Sequence, residues 1–235
     1  MPVFVLSIAL PLSGWPACPQ IRSKFDAMSK VLESSSLMVT FSDQVSLHFP
    51  PLVLEAGEMV LLQGPSGAGK STWMHAIAGL TPFHRGTVDI HGFATLYAGK
   101  KAPKQWRRSA VSLLPQKPFF WNSLSLSENL GLAAWAKGID PPTMSLDALG
   151  LGTKGAQAAH SLSLGEQQRV NALRSFLGNA PVLLADEPTA SLDDHNAAAV
   201  MALLRAHLEK QACGIVVSSH DHRLVPYMDR IVTIG

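Results

Sequence analysis

The sequence predicts an α/β fold in which a mostly parallel sheet is covered by helices on both faces. Short apolar runs typical of buried strands recur along the chain, at residues 59–63, 111–114, 182–185, 215–218 and 230–233. Stretches of helical composition lie between most of these runs, and strands that alternate with helices favour parallel pairing. A glycine-rich turn joins the first run to a helical stretch at residues 70–78, which gives the order strand, loop and helix.

An antiparallel β region is predicted at the edge of this sheet. Residues 37–41 have the composition of a strand, and Pro50 and Pro51 then divide the chain into a short meander. Because prolines interrupt regular pairing, we expect short strands here rather than a long one.

A helical lobe is predicted inside the α/β domain. Strand patterns are missing between residues 123 and 159, where residues 127–136 and 144–149 have helical composition. We therefore expect one domain over residues 37–235, with the helical lobe at about residues 117–178.

The composition indicates one globular unit that buries part of its surface against a partner. The chain has 235 residues, of which 47% are hydrophobic and 15% charged. The 19 Lys and Arg residues and the 17 Asp and Glu residues give a net charge of +2, without any block of like charge. We therefore expect no nucleic-acid partner. Two cysteines, Cys18 and Cys213, provide no disulfide framework and favour a reducing, cytoplasmic setting.

Residues 1–36 differ from the rest and are predicted to form an N-terminal extension. Their apolar run at residues 3–12 contains Ser7 and Pro11, and it is far shorter than the roughly 20 residues of a membrane-spanning helix. A signal peptide is disfavoured because no basic residue precedes the run. We expect a poorly ordered extension, or an upstream mis-start with Met28 as the true first residue, and we favour both over a targeting role.

A phosphate-binding motif lies between a predicted buried strand and a helix. It matches the pattern GxxxxGK[ST] and reads Gly64, Pro65, Ser66, Gly67, Ala68, Gly69, Lys70, Ser71 and Thr72. Its glycines let the backbone curl, so that N–H groups and the N-terminus of the next helix surround phosphate oxygens. We expect Lys70 to reach the β- and γ-phosphates and the Ser71 hydroxyl to bind Mg²⁺, which prefers oxygen ligands.

Two adjacent carboxylates follow the apolar strand pattern that begins at Pro181. Such a strand delivers its C-terminal residues to the ligand crevice of an open α/β sheet. We expect Asp186 to bind Mg²⁺, directly or through water, and Glu187 to polarise the water that attacks the γ-phosphate. An isolated Asp-Glu pair is often only the start of a solvated loop, but the phosphate-binding motif favours the functional interpretation.

A second motif resembles the LSGGQ signature, with its QQR continuation, of ATP-binding cassette ATPases. It reads Leu162-Ser163-Leu164-Gly165-Glu166-Gln167-Gln168-Arg169, and residues 37–234 as a whole resemble such an ATPase domain. In that family the signature of one protomer closes over the ATP held by the other, and the resemblance gives this role to Ser163 and Gly165. Leu164 and Glu166 depart from the commonest sequence at positions where the family accepts substitution. Ser163 and Glu166 also fit a helix capping box, which is compatible with phosphate contact.

The other elements of that family follow in order. The resemblance makes Gln116 the Q-loop glutamine, which contacts Mg²⁺ or the attacking water and couples the ATPase to its membrane partner. Asp193 falls in the stretch that resembles the D-loop of the dimer interface, and His220 matches the switch histidine that bonds the γ-phosphate. Phe41 matches the aromatic residue that stacks on adenine, although it also fits an inward-facing residue of the first strand.

The resemblance implies the ATP-binding and ATP-hydrolysing subunit of a membrane transporter, with ATP and Mg²⁺ as cofactors. Each ATP site of the family is built from two subunits, so we expect a homodimer or a heterodimer. Transmembrane permease subunits would hold it, as a peripheral protein, at the cytoplasmic side of the inner (plasma) membrane. Residues 219–224 resemble the subgroup that serves bacterial exporters of the lipoprotein-release, macrolide and glycolipid kind, and an importer subunit for a small solute is the alternative.

Functions outside transport are less favoured. Chromosome and repair members of the family carry a long coiled coil between phosphate loop and signature, and no heptad run lies between Gly64 and Leu162. Ribosome-acting members carry two cassettes, whereas this chain has one set of motifs. A cassette that binds ATP without hydrolysing it is disfavoured because Glu187 and His220 are both present.

Overall fold

The computed structural model describes residues 30–42, 45–140 and 146–235. Its strands are β1 (Lys30–Ser34), β2 (Leu37–Ser42), β3 (Val45–Phe49), β4 (Leu52–Glu55), β5 (Met59–Gln63), β6 (Thr87–Ile90), β7 (Leu96–Tyr97), β8 (Val111–Leu114), β9 (Val182–Asp186), β10 (Gly214–Ser218) and β11 (Arg230–Thr233). Its α-helices are α1 (Lys70–Ile77), α2 (Leu126–Lys137), α3 (Leu164–Ser175) and α4 (Asp194–Lys210). Helices therefore separate most of the strands of the core, and the predicted α/β class is confirmed.

The core is a parallel sheet in the order β11-β5-β10-β9-β8. Every pairing within it is parallel, and each residue of β9 and β10 is buried because helices cover both faces of the sheet. β5, β10 and β9 are neighbours, so their carboxyl ends meet at one edge. Ligands bind at this edge in open α/β sheets. The sheet thus brings together the loops that follow Gln63, Asp186 and Ser218.

The antiparallel region predicted after residue 37 is present. A four-stranded antiparallel sheet has the order β4-β1-β6-β7, and β2 pairs with β3 as a separate hairpin. Leu47 and Phe49 of β3 contact the position where a Cβ of Gly69 would lie. The hairpin therefore packs directly against the phosphate-binding motif.

The first strand corrects the predicted N-terminal boundary at residue 37. β1 pairs with both β4 and β6, and its residues Val31 and Leu32 are fully buried. The strand is short and its ends are polar, so its pattern did not stand out in the sequence. The rest of the predicted extension, residues 1–29, lies outside the described residues together with Met28.

Helices and turns occupy the described residues between β8 and β9, where the sequence predicts the lobe. α2 and α3 flank three short 3-10 turns at Leu146–Leu149, Gly152–Lys154 and Ala159–Ser161. Both helices begin with a capping box, formed by Ser125 with Glu128 and by Ser163 with Glu166. α3 ends at Ser175 rather than at Leu177 as predicted.

Two apolar clusters stabilise the parallel sheet, one on each face. Met59 and Leu61 of β5 belong to one cluster, whereas Val60 and Leu62 belong to the other, because successive residues of a strand point to opposite faces. Trp106 is buried in the second cluster, and its indole Nε1 donates a 2.8 Å hydrogen bond to Ile77 O at the end of α1. The two faces together fix α1 and the strands that carry the site.

The buried histidine of α4 should make stability fall in mild acid. His207 stacks on Phe176 with ring centroids 4.1 Å apart, and burial lowers the pKa of His207 from 6.5 to about 4. Below pH 6.5 the unfolded chain binds a proton at this histidine that the folded chain does not bind until pH falls to about 4. The free energy of unfolding should therefore decrease over this window, by about 3 kcal/mol from this group.

Urea denaturation at pH 7 and pH 4.5 measures this effect. The variant His207→Phe keeps a ring against Phe176 but cannot be protonated, so its loss of stability between the two pH values should be clearly smaller than that of the wild type. Equal losses in the two proteins would show that His207 does not control acid sensitivity.

Candidate nucleotide-binding site

The phosphate-binding motif forms a tight loop between β5 and α1. Gly67 and Gly69 have φ angles of +83° and +91°, which side chains rarely adopt. A Cβ on Gly64 would lie 2.3 Å from the carbonyl oxygen of Ile234, and one on Gly69 would lie 2.7 Å from Leu47 Cδ1. No described side chain caps α1, so its first backbone N–H groups are available to an anion.

Lys70 is held over this loop by backbone oxygens. The residue is 9% exposed, and its Nζ donates hydrogen bonds of 2.8 Å to Gly64 O and 3.1 Å to Pro65 O. Within the described part of the chain, no carboxylate forms an ion pair with this amine. Its charge is therefore left for an anionic ligand.

An open cleft of about 570 Å³ lies above the loop. It is lined by Leu47, Ser66, Gly67, Gly69, Lys70, Ser71, Thr72, Gln116, Glu187 and His220. The fold thus brings the predicted phosphate-binding residues together with the three predicted catalytic side chains, which are far apart in the sequence. Leu47 was not predicted, because nothing in a short β-hairpin indicates which of its residues faces a neighbouring loop.

The two carboxylates after β9 have different surroundings. Asp186 is buried, and its Oδ1 accepts a 2.5 Å hydrogen bond from Ser218 Oγ of β10. Glu187 has a φ of +44°, and its backbone N–H donates to the carbonyl oxygen of Ser218 at 3.0 Å. This turn directs the Glu187 side chain into the cleft while Asp186 stays against the sheet.

Two side chains of the next loop hold the Glu187 carboxylate. Ser219 Oγ donates to Glu187 Oε2 at 3.0 Å, and His220 Nδ1 lies 2.9 Å from Glu187 Oε1. The Glu187 side chain is 12% exposed and that of His220 is 76% exposed. When Glu187 is ionised, Nδ1 carries the shared hydrogen, so Nε2 of His220 faces solvent. The sequence did not reveal Ser218 or Ser219, since serines at strand ends are common.

The oxygen donors at this edge suit Mg²⁺. They are the Ser71 hydroxyl, the Gln116 side-chain oxygen and the Asp186 carboxylate, and Ser71 and Gln116 line the cleft. The described residues contain no cluster of three or more His, Cys, Asp or Glu side chains that could hold a metal ion. Because Mg²⁺ commonly binds through one or two carboxylates together with substrate phosphates, this donor set fits an ion that enters with a nucleotide.

The signature residues lie apart from this cleft. Ser163 caps α3, where its Oγ accepts from Glu166 N at 3.3 Å and its own N–H donates to Glu166 Oε2 at 2.9 Å. A hydrogen bond from Lys154 Nζ, 2.7 Å long, is the main cause that lowers the pKa of Glu166. A Cβ on Gly165 would lie 2.2 Å from Asn196 Oδ1, so this glycine allows α3 to approach the start of α4.

Asp193 also lies outside the cleft, at the N-terminus of α4. Its carboxylate accepts a 2.8 Å hydrogen bond from Asn196 N, which lowers the pKa of Asp193. Arg169 of α3 donates to Asn196 Oδ1 at 2.7 Å. The signature helix and the predicted D-loop are therefore joined into one surface.

Phe41 does not line the cleft. It lies near the end of β2 and is 59% exposed, which contradicts the alternative that it is an inward-facing strand residue. Its ring is available for stacking from solvent, and β2 is joined to the hairpin strand β3 that carries Leu47.

The fold and the cleft define a nucleotide-binding α/β protein of the phosphate-loop class. A family model described as ABC transporter matches residues 48–190. The "Putative hemin import ATP-binding protein HrtA" of Staphylococcus aureus (strain Newman) is 35% identical over 188 residues, which cover 77% of this chain and 84% of HrtA. The chain therefore belongs to the ABC transporter family, as an ATP-binding subunit with an ATPase domain.

Solved structures agree with this assignment. An ATP-binding subunit of an ABC transporter has a TM-score of 0.75 at 29% identity, over 87% of this chain and 86% of the other. The ATP-binding cassette MJ0796, in a dimeric post-hydrolysis state bound to ADP and Pi, has a TM-score of 0.72 at 26% identity, over 87% of this chain and 94% of its own. Within the described residues, no helix is both long and apolar enough to span a membrane.

Proposed function

We propose that this chain hydrolyses ATP in a dimer and that the cycle of hydrolysis drives a membrane permease. The observation that carries the proposal is the cleft in which Glu187, His220 and Gln116 face the phosphate-binding loop. A cleft for nucleotide binding alone would not need a carboxylate and an imidazole beside the loop. The family assignment supports ATP as the nucleotide.

In this proposal the phosphate loop binds and the β9 end reacts. The backbone of residues 64–72 and the Lys70 amine hold the β- and γ-phosphates, and Phe41 stacks on the adenine. Ser71, Gln116 and Asp186 hold Mg²⁺, which neutralises phosphate charge when it is bound. The Ser218 hydroxyl positions the Asp186 carboxylate by its hydrogen bond.

Glu187 is then the general base. Its carboxylate accepts a proton from the attacking water as the oxygen of that water bonds to the γ-phosphorus, and the bond to the β,γ-bridging oxygen breaks to leave ADP. His220 contacts the γ-phosphate through Nε2, because Nδ1 is directed to Glu187. Gln116 contacts the water or Mg²⁺ and reports on the bound state to the permease side.

The dimer follows from the placement of the signature. Ser163, Gly165 and Asp193 lie on a surface outside the cleft of their own chain, so a second protomer has to bring them to the nucleotide. The N-terminus of α3 would then face the γ-phosphate, as the helix dipole favours. The similarity to the dimeric MJ0796 cassette with ADP and Pi supports this arrangement, either as a homodimer or with a related subunit.

The transported direction is proposed from similarity alone. The resemblance of residues 219–224 to exporter subunits favours an exporter complex, with the ATPase at the cytoplasmic face of the inner membrane. The name of HrtA contains the word import, which favours the importer alternative. A non-transport role has no feature of the described structure in its favour.

Reconstitution with the permease encoded beside this chain tests the proposal. The full chain should bind that membrane protein in nanodiscs, and the complex should hydrolyse ATP faster than the chain alone. Uptake or release of solute by proteoliposomes, with ATP supplied on one side only, then separates an exporter from an importer. If the chain hydrolyses ATP but neither binds nor powers any membrane protein, the transport function is wrong.

A further inference from the structure

A second cavity lies at the junction of the parallel sheet and the helical region. Its volume is about 210 Å³, and its lining includes Leu80 after α1, Ser112 of β8, and residues of α2 and α3. The ATP cleft is lined by a different set of residues. The cavity is therefore separate from the site proposed for nucleotide.

Three basic side chains line this cavity, and none of them has a carboxylate partner within the residues that the structure describes. Lys137 Nζ donates to Ser112 Oγ at 2.8 Å, and Arg107 Nη1 donates to Gly79 O at 3.1 Å. Arg174 donates to Phe119 O and, at 2.8 Å, to Asn171 Oδ1. All of these acceptors are neutral. The cavity thus concentrates three positive charges without compensation.

Burial makes this arrangement costly for Lys137. Its amine is largely enclosed at the end of α2, and burial lowers the pKa of Lys137 to about 8. Burial also lowers the pKa of Arg174. An enclosed cation without a counter-ion destabilises the folded chain unless a partner supplies a negative charge.

The edge of the cavity favours a protein segment over a free anion. Leu80 is 50% exposed, and the nearby aromatic side chains Phe119 and Trp121 are 62% and 54% exposed, with ring centroids 5.8 Å apart. The Phe119 carbonyl is itself an acceptor for Arg174. Exposed aromatic residues around a charged centre are typical of protein interfaces, whereas a small ion would gain nothing from them.

We propose that this cavity receives an Asp or Glu side chain of the permease, with Lys137 as its main contact and Arg107 and Arg174 beside it. The inference rests on the proposed transport function and adds the chemistry of the partner. The carboxylate would replace the missing counter-ion, while an adjoining apolar face of the same segment covers Leu80, Phe119 and Trp121.

The contact would act on the segment that carries Gln116. Lys137 is bonded to Ser112 on β8, the strand that leads into that segment. Asn171 Nδ2 donates to Pro115 O at 3.1 Å, and Arg174 holds Phe119 O on the other side of Gln116. Asn171 and Arg174 belong to α3, which begins at Ser163. A carboxylate bound among these cations is therefore linked to both the Gln116 segment and the signature helix.

Zero-length cross-linking with a carbodiimide tests the proposal, because it joins an amine only to a carboxylate in contact with it. The full chain is bound to the permease encoded beside it, in nanodiscs, treated with the reagent and digested for mass spectrometry. We expect a cross-link between Lys137 and an Asp or Glu of the permease. In titrations, Lys137→Met should weaken permease binding about 30-fold or more, whereas the exposed-lysine control Lys100→Met should bind like the wild type.

Three other outcomes are decisive. If the permease binds Lys137→Met as tightly as the wild type, and Lys137 is unlinked or linked only within its own chain, the acidic contact is wrong and the transport function stands. If no membrane protein binds the wild type, the transport function itself fails. If inorganic phosphate alone protects Lys137 of the isolated chain from acetylation, the cavity is a site for free anions and the proposal is overturned. Urea denaturation and ATPase activity without permease check that Lys137→Met is folded.

Discussion

Glutamine in place of Glu187 should lower the rate of ATP hydrolysis by roughly 100- to 10,000-fold, while ATP still binds. Glutamine has nearly the shape of glutamate but cannot accept the proton of the attacking water. Its side-chain oxygen still accepts a hydrogen bond from Ser219 or His220, so the loop after β10 keeps its place. Phosphate release and nucleotide titration, measured on the same preparation, separate catalysis from binding.

The matched control for this substitution is Glu209→Gln. Glu209 is an exposed residue near the end of α4, so its variant loses the same charge away from the cleft and should hydrolyse ATP at the wild-type rate. Turnover by Glu187→Gln close to that of Glu209→Gln would show that another group accepts the proton.

The parallel sheet was predictable because its strands are buried on both faces. Residues such as Leu183 and Val216 lie in unbroken apolar runs, and short runs of this kind between helical stretches are typical of buried parallel strands. β1 and β7 were not predictable, because a short strand at the edge of a sheet alternates between buried and exposed residues and resembles a loop. Their existence depends on partners far along the chain, such as the pairing of Leu32 with Ile90.

The candidate site was predictable where a motif fixes both the residue types and their spacing. The phosphate loop, Glu187, His220 and Gln116 are such residues, and the structure places them around one cleft. The hydrogen bonds that position them are contacts between distant parts of the chain, and the sequence carries no sign of these. Ser218 with Asp186 is one example, and Arg223 is another. Arg223 forms ion pairs with Asp221 and Asp194, and thereby joins the loop after β10 to the start of α4.

A negative charge at position 163 should abolish the ATP-bound dimer without unfolding α3. Asp, Asn and Ser are about equally good helix N-caps, so Ser163→Asp and Ser163→Asn should both keep the free energy of unfolding within about 0.5 kcal/mol of the wild type. Only aspartate places a like charge against the γ-phosphate of the partner's ATP, which costs several kcal/mol and should weaken the dimer by about 100-fold or more. The test is size exclusion with ATP and Mg²⁺, with each substitution combined with Glu187→Gln to prevent hydrolysis. Dimers of equal stability from the Asp and Asn variants would mean that Ser163 caps α3 and does not face a phosphate, because the cap is the only role that the two residues share.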